Sequence, residues 1–197
     1  WHPNTRFRWP KEGRDGQDPL KPSPSTAPET MPAFKGKIID ISACPTENSI
    51  PKKEWKLLYT DSEETRSEKT PATNAFDNDC ATFWHTAWEG SKHPHEIQID
   101  LGAEYNINGF GYQAREGGSS NGTIAKYAFY VSADGKDWGK PVASGAFNEI
   151  SGIGQKIDFK PAKGRYVRLV ALSEVNNKKY TSAAEFFIYK ATADSEQ

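Results

Sequence analysis

Two adjoining stretches carry the residues best suited to chemistry. The first, NAFDNDCAT, places Asn74, Asp77, Asp79 and Thr82 within nine residues. Calcium takes about six to eight oxygens, and a tight loop of this composition offers a carboxylate, backbone carbonyls and a hydroxyl. The same composition also makes a solvated turn in which Asp and Asn side chains bond the local backbone. The second stretch, TFWHTAW, sets Trp84 and Trp88 on either side of His85. Such a run serves as hydrophobic core, as part of a metal site, or as a surface that grips something flat.

The bulk of the chain narrows what these residues can serve. Its 197 residues suit one domain of ordinary size plus a tail. The 25 basic and 26 acidic residues are interspersed and give a net charge of −1, which argues against a nucleic-acid or anionic-membrane partner. No apolar run approaches the roughly 18 residues that span a bilayer. Trp1 is not an initiator and no apolar leader follows it, so the chain reads as a piece of something longer. Six tryptophans against one methionine, with β-branched and aromatic residues dominating the apolar set, are the composition of a β domain. Cys44 and Cys80 are too few for a disulfide framework and lack zinc-ligand spacing; they form one disulfide or remain two buried thiols.

Residues 1–50 read as a Pro-rich linker or the tail of a preceding domain, and KPSPSTAP within them as extended and semi-rigid. KGKIIDISAC is a candidate accessory strand, and folding proper is expected to begin near Trp55. EWKLLYT, HEIQIDLG, INGFGYQAR, KYAFYVSADGKDW, QKIDF, GRYVRLVAL and AEFFIYK follow as strands. HEIQIDLG alternates, with Ile97, Ile99 and Leu101 on one face and Glu96, Gln98 and Asp100 on the other. Asp134-Gly135 is a hairpin signal between YVS and KDW. No amphipathic helix stands out. The expectation is an all-β, antiparallel sandwich or jelly roll over residues 51–192, with 193–197 as a disordered tail.

The run from PATNAFDNDCATFWHTAW through HPHEIQIDLG and YVSADGKDW to GRYVRLVAL and SAAEFFIY resembles a discoidin-type (F5/8 type C) domain. It resembles more narrowly the family 32 carbohydrate-binding modules, over roughly residues 55–190. The resemblance implies a structural calcium ion in the acidic loop. Its ligands would be the carbonyls of Asn74 and Asp79, the Asp77 carboxylate and Thr82, completed by the Ala184 carbonyl and the Glu185 carboxylate. The loop departs from the family's D-G-N-P pattern, with Asn78 for the Gly and Cys80 for the Pro; a Cys80–Cys44 link would pin the N-terminal segment there.

The resemblance also implies a shallow sugar site, where a few convergent polar groups stand beside an aromatic platform. The galactose-binding members use a Glu, a His, an Arg and an Asn with loop aromatics. The counterparts here are Glu68, His85, Trp88, Arg115, Asn121 and Tyr180. His85 and Arg115 would take the axial O4 hydroxyl, Glu68 and Asn121 the neighbouring ones, and Trp88 or Tyr180 the face of C–H bonds. His85 and Trp88 are then expected to turn outward, while Phe83 and Trp84 anchor the loop to the core. A glycosidase needs two carboxylates about 5 to 10 Å apart across a cleft; Glu68 is the only acid placed at the sugar, and no G-x-S-x-G or H-E-x-x-H motif is present. The expectation is therefore a non-catalytic, calcium-stabilised module for glycans ending in galactose or N-acetylgalactosamine. It would be linked to a larger glycoside hydrolase and be extracellular, periplasmic or on the cell surface. The alternative is a discoidin-type adhesion domain that binds protein or lipid, against which the polar loop EGGSSNGT argues.

Overall fold

Two unusually long strands organise the structure, a computed structural model that describes residues 38–41, 49–115, 120–148 and 154–191. The strands are β1 (Ile38–Ile41), β2 (Lys56–Thr60), β3 (Trp84–His85), β4 (His95–Gln113), β5 (Ile124–Ser132), β6 (Ala143–Ala146), β7 (Gly154–Glu174), β8 (Ser182–Ala183) and β9 (Glu185–Lys190). HEIQIDLG and INGFGYQAR, read as separate strands, are the two halves of β4, and QKIDF and GRYVRLVAL are the two halves of β7. β4 and β7 pair antiparallel along their whole length, with slips in register between Asp100 and Tyr105 and between Ile107 and Gly109. Gly102 sits at the first slip with φ +83°, where a Cβ would come within 2.6 Å of Glu54. A side chain there would meet both steric objections at once.

Each long strand therefore serves two layers. One layer runs β2, first half of β4, second half of β7, β5, β6; the other runs β9, second half of β4, first half of β7, β1. The core lies between them. Phe110 of one layer stacks on Phe129 of the other at 4.2 Å between ring centres, and Ile97, Ile99, Val167 and Leu169 face Phe186 and Ile188. This is the expected antiparallel β-sandwich. The accessory strand is present as β1, and folding starts before Trp55: Ser49 bridges to Tyr189, and Ile50, fully buried, donates its N–H to Ile188. The described residues hold two short 3-10 turns and no α-helix.

Two local readings change. Asp134-Gly135 is not a tight hairpin between YVS and KDW: it lies with KDW in the longer loop that joins β5 to its neighbour β6. The Asp134 carboxylate instead accepts the N–H groups of Lys136 and Asp137, at 2.9 and 3.0 Å, taking donors that a strand ladder would have used. Glu96 and Gln98 lie on the face away from the core yet are buried. Arg168 pairs with Glu96, Gln98 donates to Glu96 at 3.1 Å, and Tyr130 and Trp138 flank the guanidinium.

Truncating Phe110 to Ala should cost about 3–5 kcal/mol of unfolding free energy, since it opens a cavity between the layers. Truncating Leu58, which is 46% exposed, should change stability by no more than about 0.5 kcal/mol. Urea titration of the two variants reads both values.

Candidate functional site

At one end of the sandwich the two-stranded ribbon β3–β8 brings separate loops together. Trp84 lies opposite Ala183 and His85 opposite Ser182. Thr86 N–H bonds the Thr181 carbonyl, and Thr181 N–H bonds the Thr86 hydroxyl, each at 2.9 Å. Ser182 then reaches the third segment: its N–H bonds the Gly122 carbonyl at 2.7 Å and its hydroxyl the Asn121 carbonyl at 2.9 Å. Gly122 is required here, because φ is +81° and a Cβ would lie 2.6 Å from Ser182 N.

Three of the six residues expected to hold a sugar meet at this ribbon. The His85, Trp88 and Tyr180 rings form one cluster, with centres 4.1 Å (His85–Trp88), 5.5 Å (His85–Tyr180) and 4.8 Å (Trp88–Tyr180) apart. Glu68, which is exposed, and Arg115 both act electrostatically on His85. Asn121 is held through Ser182. Two positions differ from expectation. His85 does not turn outward: its exposure is 0%, because the Trp88 and Tyr180 rings cover it. Phe83 is only half-buried; its ring lies under the Arg115 guanidinium at 4.2 Å, whereas Trp84 is core as expected and bonds the Ser62 carbonyl.

The fold leaves some polar atoms at this cluster without a partner. His85 Nδ1 lies 2.6 Å from the Thr86 carbonyl. A carbonyl only accepts, so Nδ1 carries the proton and Nε2 of the neutral ring is an acceptor. Burial holds the His85 pKa below its usual 6.5, aided by the Arg115 charge and opposed by the Thr86 bond and by Glu68 and Glu64. His85 Nε2 and Arg115 Nε are both buried without a hydrogen-bond partner. One is an acceptor and the other a donor, which is what a single hydroxyl group needs.

Positioning residues that the sequence did not single out surround the cluster. Buried Glu64 accepts the N–H groups of Arg66 (2.7 Å), Ser67 (2.8 Å) and Trp88 (3.2 Å), while its own N–H bonds the His85 carbonyl. The N–H bonds of Ser67 and Trp88 lead in holding its pKa down, at about 2. His95, bonded to Asp61 and to the Lys179 carbonyl at 2.7 Å each, secures the segment before Tyr180. Beyond Trp88 lies an open groove of about 490 Å³ lined by Glu64, Arg66 and Ser67; neither His85 nor Arg115 borders it.

The acidic loop follows a 3-10 turn, Ala72–Phe76, whose apolar residues are buried. Thr82 Oγ1 lies 2.7 Å from Asp77 Oδ2 and 3.0 Å from the Asp79 carbonyl oxygen, so three oxygens converge. The Asn74 side chain bonds the Phe83 carbonyl and braces the loop. Asn78 has φ +68°, which explains a Gly at this position in the family and why Asn can replace it. Glu185 arrives from β9 fully buried, following Ala184, whose N–H bonds the Gln113 carbonyl. Its Oε1 pairs with buried Lys52, which the sequence did not suggest, and no hydrogen bond of normal geometry reaches Oε2. Burial raises Glu185 to about 6, opposed by Lys52, raised further by Asp77, and eased by the Asn78 N–H. Among the described residues no three acidic, His or Cys side chains form a metal group. The oxygens here are mostly carbonyl and hydroxyl, and with the orphaned Oε2 they fit a hard cation. Cys80 is disulfide-bonded; Cys44 lies outside the described residues.

Glu64 makes a pH prediction. Its folded value of about 2 lies below the usual 4.5, so the stability it confers is complete above pH 4.5 and drains away as pH falls toward 2. Replacement by Gln should flatten the fall in stability across that window, read by urea melts at a series of pH values. An unchanged slope would contradict the assigned role.

Comparison with known proteins fits this geometry. The F5/8 type C domain pattern matches residues 59–186. A sialidase of Micromonospora viridifaciens is 43% identical over 132 residues, which is 66% of this chain and 20% of that protein. A galactose oxidase of Gibberella zeae is 35% identical over 155 residues, 77% of this chain and 22% of that protein. The chain thus spans about a fifth of the length of these curated relatives. Among solved structures, CpGH89CBM32-5 of Clostridium perfringens, in complex with GalNAc-beta-1,3-galactose, superposes with a TM-score of 0.65 at 33% identity, covering 72% of this chain and 99% of that one. The family 32 module of C. perfringens NanJ, in complex with galactose, gives 0.62 at 25% identity, covering 73% and 98%. The chain belongs to the F5/8 type C domain family, as a non-catalytic module whose structural neighbours are family 32 carbohydrate-binding modules.

Proposed function

We propose that this module binds the terminal galactose or N-acetylgalactosamine of glycans. The observation that carries the reading is a pair of buried, unpartnered atoms: Nε2 of His85, whose ring lies against Trp88 and Tyr180, and Nε of Arg115, whose charge acts on His85. An axial O4 hydroxyl donates to His85 Nε2 and accepts from Arg115. Glu68 and Asn121 serve the neighbouring hydroxyls, and an aromatic ring takes the C–H face. Because the rings cover His85, entry of the hydroxyl shifts Trp88 or Tyr180. The groove beyond Trp88 leaves room for further sugar units. The galactose and GalNAc complexes of the structural neighbours support the same ligand class.

The acidic loop, in this reading, holds a structural calcium ion through the Asn74 and Asp79 carbonyls, Asp77, Thr82, the Ala184 carbonyl and Glu185. When bound, the ion fixes the loop that leads into Trp84 and His85. The parent is proposed to be a larger secreted or surface-attached glycoside hydrolase, which the module tethers to its glycans. Support comes from the sialidase relative, of which the chain covers a fifth.

A monosaccharide of about twelve heavy atoms at roughly −0.3 kcal/mol per atom gives about −4 kcal/mol, a Kd on the order of 1 mM. Calorimetry should show galactose and N-acetylgalactosamine binding in that range, glucose much more weakly, and no retention on anionic liposomes. His85→Ala and Arg115→Ala should each weaken galactose binding about tenfold or more, the loss expected when a buried partner is left unmatched. Unchanged affinity in both variants would defeat the site. Affinity should also decline as pH falls below 6.5, because protonating His85 removes the acceptor at Nε2. Liposome binding without sugar binding would favour the adhesion alternative.

A further inference from the structure

The two oxygens of Glu185 are used differently, and the difference points to a second role for Lys52. Glu185 opens β9 with a side chain at 0% exposure, and the Lys52 side chain that meets its Oε1 is at 3%. The ammonium lies over the Phe187 ring at 4.3 Å and near Trp55 at 5.7 Å, so aromatic faces replace the water it has lost. No hydrogen bond of normal geometry reaches Oε2, although the Asn78 N–H of the acidic loop is close enough to favour the carboxylate. The Asp77 charge acts on both Lys52 and Glu185, so the ion pair lies within electrostatic reach of the acidic loop.

We infer that Lys52 is the resident counter-cation of this site. It holds one oxygen of Glu185, presents the other toward the loop as a one-oxygen metal ligand, and keeps β9 in place when no metal is bound. The metal-presenting half rests on the calcium reading proposed above; the counter-cation half rests on the ion pair alone. A buried carboxylate without a cation is strongly destabilising, and a lysine fixed in the chain supplies that cation at any metal concentration. The same charge weakens the metal. With Asp77 and Glu185 negative and Lys52 positive, the formal side-chain charge is −1, where the two acids alone would give −2. Cation affinity at oxygen sites falls with ligand charge. The consequence is a module whose fold survives calcium removal and whose calcium is loosely held.

The test uses the full chain, with thermal melts in a chelator and in graded calcium chloride, and calcium calorimetry on the same samples. Lys52→Met keeps an unbranched apolar stem over Phe187 and removes the charge. In chelator this variant should melt roughly 10 °C or more below the wild type, the shift expected from breaking a buried pair in a domain of this size. Calcium should restore most of that loss and bind at least about tenfold more tightly than to the wild type. The wild type should lose only a few degrees on chelation, by the same reasoning. Equal melting of wild type and variant in chelator overturns the inference. A low-melting variant that calcium neither stabilises nor binds overturns the calcium reading and the metal-presenting half, leaving the counter-cation half standing. If Lys52→Met does not fold in chelator, the double variant Lys52→Met, Glu185→Leu decides. Recovery of the fold when both charges are removed supports the counter-cation role, and failure to recover overturns it.

Discussion

Residues 181–185 are the backbone on which the binding end depends. All five are fully buried, and between them they tie the chain at 84–86, 121–122, 113 and 52. Thr181 holds Thr86, Ser182 lies opposite His85 and bonds Asn121 and Gly122, Ala183 lies opposite Trp84, Ala184 bonds Gln113, and Glu185 pairs with Lys52. Buried amides and carbonyls must find partners, so a segment this enclosed imposes its register on every chain that touches it. Small side chains make the close approach possible: two Ala, one Ser and one Thr lead to the single large residue, Glu185. Tyr112 adds the last constraint by donating its hydroxyl to the Ser182 carbonyl from inside the core.

Against that background of satisfied groups, the unpartnered atoms gain meaning. Glu64 takes three backbone N–H groups, and both ring nitrogens of His95 are bonded. Of the buried side-chain atoms left unmatched among the described residues, His85 Nε2, Arg115 Nε and Glu185 Oε2 are those that belong to the candidate sugar and cation residues. An unmatched buried polar atom costs about 1–3 kcal/mol. The His85 ring lies against those of Trp88 and Tyr180, the Arg115 charge acts on His85, and the Asp77 charge acts on Glu185, so the three belong to the two places where a sugar and a cation are proposed.

Much of the fold was legible because its strands announce themselves by alternation and by β-branched and aromatic content. Ile97, Ile99 and Leu101 are core as their spacing says. What alternation cannot show is continuity: nothing in LGAEYNI or KPAKG reveals that the chain keeps pairing through a register slip, so two long strands read as four short ones. Asp134-Gly135 does mark the connection between two paired strands, β5 and β6, but as part of a longer loop in which the Asp134 carboxylate takes the amides of Lys136 and Asp137. The six candidate sugar residues were named only through family resemblance, and the meeting of His85, Trp88 and Tyr180 depends on the β3–β8 ribbon, two residues a side, too short to leave a periodic trace. Glu64 sits in a run of charges, SEETRSEK, where Glu63 and Glu68 look no different. Lys52 has an identical neighbour, Lys53, and only the path of the chain decides which of them is buried.

The proposed cation site and the proposed sugar site are also joined through one strand register. Glu185 lies opposite Gln113 in the β4–β9 pairing, and Arg115 follows Gln113 by two residues along the same chain. Whatever fixes Glu185 therefore fixes the start of β9, the end of β4 and the backbone that carries Arg115. This matters because the energy at stake in monosaccharide binding is small. If the whole interaction is about 4 kcal/mol, a loss of about 1.4 kcal/mol to wandering of any one loop is already tenfold in affinity. A shallow site cannot offset that loss with further contacts. It has to hold its few polar atoms still, which is why the residues around the ligand cluster are so heavily bonded to one another and so little exposed.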